Sequence, residues 1–293
     1  MDFEGKPLNK RKQVYAQAFM IYALSEYYLF SKNQDALDWA IDIYELIEKH
    51  AKDPIHKGYI EAFNEDWSPI KDMRLSDKDV NEVKTMNTHV HVLEAYTNLY
   101  KVYKNASLRQ HLVELIELFL NKFLNAKNHL NLFFNEQWNL KGNIISYGHD
   151  IETAWLLIEA AKIIEDAALL QKTEKSAILI SDTFLNEGVD TDGGVFNDYN
   201  PDTNQLDGDK HWWAQVEAMV GLQYAYAITK DEKYLDSSAN ILEFIKQNII
   251  DHKNGEWFWR VDKNRNLYTS EYKMGMWKAP YHNSRACMIL SKK

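Results

Sequence analysis

Tyr147-Gly-His-Asp-Ile-Glu-Thr-Ala-Trp-Leu-Leu157 is where an irregular segment gives way to a helical apolar pattern. The pattern runs on through Ile158, Ala161, Ile163 and Ile164, mostly at three- and four-residue spacing, and predicts a helix over about 149–167. His149 then stands at a helix N-terminus, and Glu152, three residues on, shares its face. The positive end of a helix opposes protonation of a nearby imidazole and keeps it a neutral base. One histidine in such a place is a weak signal. The fold is decided by the recurrence of the arrangement.

Working outward, aromatic-rich amphipathic patterns predict helices over 9–31 and 34–51, then 81–104 and 106–126, 149–167 and 169–187, 210–230 and 232–250, with a last helix from Tyr281. Between the pairs lie short aromatic segments that read as strands or hairpins: Gly58–Trp67, Leu130–Trp138, Gly193–Tyr199 and Gly255–Val261. Residues 52–79, rich in proline and polar side chains, read as irregular. Helix, helix, hairpin therefore repeats with a period of roughly 60–70 residues. No Gly/Ser/Pro-rich linker interrupts it, so one domain over 1–293 is expected. Helix pairs at this spacing stack as an open solenoid or close into an α/α barrel. The first helix of each pair is the more apolar and belongs inside; the second, as in 106–126 and 232–250, carries a charged face and belongs outside.

Composition narrows the function. Net charge is −9, and no basic cluster interleaves with the aromatics, which argues against nucleic acid and anionic membranes as partners. Nine Trp and seventeen Tyr offer flat apolar faces with one polar handle, suited to sugars as well as to cores. A single cysteine, Cys287, precludes an internal disulfide and fits a reducing compartment. With no signal-like or membrane-spanning run at either end, a cytoplasmic protein is expected.

At the starts of the inner helices stand Tyr15, His89, His149, Trp212 with Trp213, and His282. If like ends gather at one mouth, imidazoles and aromatic rings meet in one pocket. Plainer readings exist for each. His89 and His91 are two apart on a helix and point different ways, so one lines the pocket and the other packs; metal is not expected there. Adjacent Trp212 and Trp213 cannot both face a ligand squarely. Tyr15 reads equally as a core tyrosine, and Glu217 as a supporting partner. His211 and the remaining histidines, at positions 50, 56, 111, 129 and 252, read as solvated surface.

Five blocks in order resemble the cellobiose 2-epimerases, within the wider N-acylglucosamine 2-epimerase group. They are Arg11-Lys-Gln-Val-Tyr-Ala-Gln-Ala-Phe19, Asn87-Thr-His-Val-His-Val-Leu-Glu-Ala-Tyr96, Gly148-His-Asp-Ile-Glu-Thr-Ala-Trp155, Lys210-His-Trp-Trp-Ala-Gln-Val-Glu217 and Trp277-Lys-Ala-Pro-Tyr-His-Asn-Ser-Arg285. The resemblance implies an all-α (α/α)6 barrel that inverts C2 of the reducing-end glucose of β-1,4-linked disaccharides, with no metal or other cofactor. It implies His149 and His282 as the acid/base pair and His89 as the group assisting ring opening. Glu152 would position the polar groups, and Tyr15, Trp212, Trp213 and Trp277 would contact or stack on the sugar. The chemistry is consistent: inversion requires proton loss on one face and delivery on the other, and two histidines suit it.

The resemblance also implies a departure. Such barrels have twelve helices, while nine are read here. Asp2-Phe-Glu-Gly-Lys-Pro7 resembles the tail of a hairpin, so about a hundred N-terminal residues of the family pattern, with an arginine expected there, have no counterpart. The expectation is an N-terminally truncated homologue, acting as a monomer on a small sugar or needing the missing segment. Alternatives remain open: an N-acylglucosamine or mannose 2-epimerase, an aldose–ketose isomerase, a glycoside hydrolase using two carboxylates from Glu61, Asp66 and Asp198, or an inactive sugar-binding fragment.

Overall fold

The computed structural model describes residues 2–76 and 79–291. Asp77 and Lys78, in the stretch expected to be irregular, and the extreme ends of the expected 1–293 domain lie outside the described residues. The helices are α1 (Val14–Ser31), α2 (Gln34–His50), α3 (Met86–Val102), α4 (Ala106–Leu118), α5 (Tyr147–Ile164), α6 (Ala167–Glu187), α7 (Trp212–Thr229), α8 (Glu232–Phe244) and α9 (Tyr281–Leu290). The strands are β1 (Lys12–Gln13), β2 (Ala62–Phe63), β3 (Lys84–Thr85), β4 (Phe133–Phe134), β5 (Ile145–Ser146), β6 (Asp198–Asn200), β7 (Gln205–Asp207), β8 (Lys210–His211) and β9 (Arg260–Val261).

The predicted repeat is present, and its closing device is antiparallel pairing. The strand that leads into each inner helix pairs with the strand that follows the outer helix: β1 with β2, β3 with β4, β5 with β6, β8 with β9. β7 extends the third of these sheets. Residues 9–13 were expected to be helical, but Lys12 and Gln13 are drawn into the β1–β2 ladder and α1 starts only at Val14.

Local chemistry explains the tight corner between inner and outer helices. Lys32 and Lys230 close α1 and α7 in the left-handed region, at φ 58° and 59°, each donating its backbone N–H back to the fourth residue before it. Asn33, Asn105 and Asp231 then cap α2, α4 and α8 by accepting backbone N–H groups of the first turn. A cap of this kind stabilises a helix by about 1 kcal/mol. α4 and α8 both run on into five-residue π-helical turns, Phe119–Phe123 and Ile245–Ile249.

The chain forms two compact units. One comprises Met1–Phe123, Asn131–Gly142 and Glu159–Asp166; the other comprises Leu124–Leu130, Asn143–Ile158 and Ala167–Lys293. In the first unit, α1 packs on α2 and α3. Outer helix α2 buries one stripe, Ala36, Leu37, Ala40, Tyr44 and Ile47, whereas inner helix α3 is buried on every side from Thr88 to Leu99. α1 buries only Val14, Ala18, Ile21 and Ser25, and Phe30 is 90% exposed. In the second unit, Ala154 and Ile158 of α5 pack on Ala177 and Ile180 of α6. There α7 is buried from Ala214 to Leu222, and α8 buries the stripe Tyr234, Ser238, Ile241 and Phe244. Among the described residues, no helix is long and apolar enough to cross a membrane.

A buried lysine ties the hairpins to the inner-helix starts. Lys84 donates to Asp53 at 2.7 Å and to the Glu136 carbonyl at 2.8 Å. Lys210 reaches Asp190 and Asp192, each at 2.7 Å, and Lys278 reaches Glu256 at 2.9 Å. In the third repeat Ile145 takes that place, and the tie is His129 Nδ1 to Asp150 at 2.7 Å. This places His129 in the interior, correcting the surface reading.

Glu61, a hydrolase candidate by sequence, is 2% exposed and accepts from the Thr85 and Thr88 hydroxyls at 2.6 and 2.8 Å. Burial pushes its carboxyl from 4.5 up to about 7. The native chain thus keeps a proton that the unfolded chain releases above 4.5, and stability falls as pH rises from there through about 7. Glu61→Gln is expected to flatten that decline and to melt above the parent at pH ~8. Calorimetry at about pH 5 and pH 8 checks this; melting curves that stay parallel at both would contradict it.

Candidate active site

Strand β5 delivers Ser146, and α5 begins on the next residue, so His149 occupies the first helical turn. His149 Nδ1 lies 2.9 Å from Ser146 Oγ. Its ring rests on the indole of Trp213, centroids 4.7 Å apart. Gly148 permits that approach: a Cβ there would sit 2.5 Å from Trp213 Cη2 and 2.9 Å from Ala214 Cβ. Gly148→Ala is therefore expected to cost about 1–3 kcal/mol by overpacking and to alter tryptophan fluorescence as Trp213 moves. Urea unfolding followed by fluorescence tests it; an unchanged midpoint and spectrum would contradict the contact.

The second half of the site comes from α7 and α9. His282 lies in the first turn of α9, and its Nδ1 donates to Glu217 Oε1 at 2.7 Å. The same oxygen accepts from Arg285 Nη2 at 2.6 Å, and Glu217 Oε2 accepts from Trp155 Nε1 at 3.0 Å. Arg285 Nη2 also donates to Glu152 Oε1 at 3.1 Å, and its guanidinium lies over the rings of Trp155 and Tyr281. Glu152, Glu217 and Arg285 are all buried. Burial alone would raise the Glu217 carboxyl, but Arg285 and His282 outweigh it and hold it below the usual carboxylate range. Glu217 thus sets a buried carboxylate against His282 Nδ1 and shares it with Arg285.

One indole connects the halves. Trp213 touches His149 on one side and His282 at 5.5 Å centroid separation on the other. The structure thus brings together His149, Glu152, Trp213 and His282. Trp212 is 3% exposed, edge-on to Trp259 and to His282 at 6.3 Å, and lies under the Lys278 ammonium. Trp277 is 39% exposed in the loop before α9.

In the other unit lies His89. It is fully buried, its Nε2 accepts from the Tyr59 backbone N–H at 2.9 Å, and its Nδ1 donates to the Thr85 carbonyl at 2.6 Å. Burial lowers its pKa to about 3, so it stays neutral. Both ring nitrogens are thus held by backbone groups. His91, its neighbour, is the one whose ring meets Tyr15, at 5.0 Å edge-on, and Phe19 at 4.6 Å.

Sequence reading left Arg285, Trp155 and Ser146 without roles and gave Glu217 only a supporting one. Arg285 stands three residues after His282 and Trp155 three after Glu152, so helical spacing was the available signal. Glu152, Glu217 and His282 present possible metal-ligand atoms within 4.8 Å of one another, as do Asp53, His56 and Glu136. In each group a protein cation already sits among the carboxylates, Arg285 in the first and Lys84 in the second.

The N-acylglucosamine 2-epimerase family profile matches residues 1–286. The cellobiose 2-epimerase of Bacteroides fragilis is 44% identical over 99% of this chain and 74% of its own length. A solved cellobiose 2-epimerase from Bacillus thermoamylovorans is 40% identical, with TM-score 0.93 over all of this chain and 74% of that one. A solved D-mannose isomerase is 26% identical, with TM-score 0.84 over 99% of this chain and 73% of its own. The fold class is thus the all-α, (α/α)6 type expected.

Proposed function

Because this chain belongs to the N-acylglucosamine 2-epimerase family, we propose that it inverts C2 of the reducing-end glucose of β-1,4-linked disaccharides, converting cellobiose to glucosyl-mannose and lactose to epilactose. The observation that carries this reading is the pair of imidazoles set on one indole, each with Nδ1 against a different kind of partner.

Those partners suggest the roles. His282 is wired to Glu217 in a cluster that favours its protonated form, so it is the acid. His149 is bonded to a neutral hydroxyl at a helix N-terminus, which favours the neutral base. With the sugar ring open, C1 is an aldehyde and acidifies the C2 proton. His149 takes that proton through Nε2, and the electron pair passes into a cis-enediolate. His282 then delivers a proton to C2 from the opposite face, and the inverted aldose closes. His149 ends protonated and His282 neutral, so the reverse reaction uses the same two groups with roles exchanged. The half-buried Trp213 face, lying against both imidazoles, offers a surface for the sugar C–H groups during the transfer.

Incubation with cellobiose followed by proton NMR is the test. Appearance of the mannose-type reducing-end anomeric signals supports the reading; unchanged cellobiose with well-folded protein would overturn it. A second reading, aldose–ketose isomerisation, is favoured by the likeness to D-mannose isomerase. It would show as a ketose product. Release of free glucose would point to hydrolysis instead.

A further inference from the structure

We propose that His129, held as an imidazolium between Asp150 and Glu187, is the positioning residue for the first turn of α5, which carries His149 and Glu152. Its meaning for catalysis rests on the acid/base reading above, while its geometry stands alone. The repeats supply the contrast. In the turns after α2, α6 and α8 stand Asp53, Asp190 and Asp251, each giving its backbone N–H to a carbonyl four or five residues on. After α4 the same turn carries Asn125, and Ile145 stands where the other repeats place a buried lysine. Both halves of the ordinary tie are therefore gone. Its replacement is reversed: the carboxylate, Asp150, is on the inner helix and the basic group is on the turn, with His129 Nδ1 2.7 Å from Asp150 Oδ2. Lysine keeps its charge at any physiological pH, whereas an imidazole titrates there. The repeat that carries His149 is the one with a titratable tie.

Proton counting gives the charge. His129 Nε2 lies 3.2 Å from Glu187 Oε2, so each ring nitrogen faces a carboxylate oxygen. A carboxylate only accepts, and a neutral imidazole has a single N–H, so one of the two contacts would set lone pair against lone pair. With both nitrogens protonated, both contacts are hydrogen bonds. The helix ends agree. Asp150 lies in the first turn of α5, where a negative charge is favoured, and Glu187 closes α6, whose terminal carbonyls favour a cation beside them. Burial opposes the charge on His129, but Asp150 and Glu187 outweigh it and hold the imidazole above its usual 6.5. Other ionisable groups around this chain are Tyr147 on α5, its ring edge-on to His129 at 6.2 Å, and Asp198 and Tyr199 on β6.

The anchor is stiff where it needs to be. His129 is 2% exposed, and its own backbone N–H is held by Asn125 Oδ1 at 3.2 Å. Asp150 is held twice from this turn, by His129 and by the Leu130 N–H at 2.8 Å, and its chain neighbour is His149. The Glu187 side chain is half exposed, so the Nε2 arm is the one open to solvent. The native chain keeps a proton on His129 that the unfolded chain releases above 6.5. The clamp is therefore complete below 6.5 and weakens above it, as the folded imidazole gives that proton up.

The primary test is 15N NMR of histidine-labelled protein at about pH 7.5, where an unperturbed imidazole is about 90% neutral. The expected result is an imidazole with both ring nitrogens protonated, assigned to His129 by its loss in His129→Gln. Glu187→Gln removes one facing charge from a half-exposed position and is expected to move that titration to lower pH, which identifies the signal even if His129→Gln does not fold. A neutral His129 at about pH 7.5, or a titration unmoved in Glu187→Gln, overturns the inference whether or not the protein turns over sugar. In the active enzyme, Glu187→Gln is expected to match the parent near pH ~6 and to lose about tenfold in kcat near pH ~7.5, with KM within about twofold. A loss equal at both pH values, or none at either, overturns the positioning role. A parent without activity counts against the epimerase reading alone. Amide hydrogen exchange in the first turn of α5 then decides: faster exchange in Glu187→Gln than in the parent near pH ~7.5 supports the clamp, and equal exchange overturns it.

Discussion

His149→Ala is expected to lower the rate of C2 inversion by about 10³-fold while leaving the melting temperature within a few degrees. General acid–base groups contribute roughly 10²–10⁴-fold, and a base that starts the reaction lies toward the upper part of that range. The ring meets the Ser146 hydroxyl and the Trp213 indole, neither of which belongs to the Glu217–Arg285–Glu152 cluster. Initial rates on cellobiose by NMR, beside a thermal melt, separate the two effects. Loss of fold together with activity, or retention of more than about a tenth of the rate, would show that His149 is not the base.

Glu217→Leu is expected to lower stability by about 3–5 kcal/mol, the cost of removing one partner of a buried ion pair. Glu217 is fully buried and accepts three donors: His282 Nδ1, Arg285 Nη2 and Trp155 Nε1. Deleting it takes one carboxylate from Arg285, 7% exposed on its side chain and also bonded to Glu152, and removes the Glu217 bond from His282. Glu217→Leu/Arg285→Met removes both charges and is expected to recover most of the stability but none of the activity. Urea unfolding of the singles and the double checks this. If the double variant is as unstable as the single, the penalty lies in packing rather than in an orphaned charge.

How much of this could be read from the sequence depends on whether the signal was local. Helix pairs were legible because the turn between them is written in adjacent residues, a left-handed Lys32 or Lys230 followed by a capping Asn33 or Asp231. The two-residue strands were visible only as aromatic hairpin segments, since two residues show no periodicity. The lysine two or three places before α3, α7 and α9 recurs as Lys84, Lys210 and Lys278 and passed unread because a buried lysine is rare. In the site, His149 and His282 were legible from their position at helix starts. His89 and His91 were not separable, because residues two apart on a helix leave open which one turns to the backbone. Glu217 and Arg285 are 68 residues apart, so only the fold reveals that bond.

The most direct test of two histidines acting on opposite faces is the isotope content of C2 when His282→Asn is incubated with cellobiose in D2O. With His149 intact and the opposite acid gone, the substrate is expected to lose its C2 protium and take up deuterium with retained configuration, while almost no inverted disaccharide forms. Inversion at the parental rate, or a variant that neither inverts nor exchanges C2, would contradict the account.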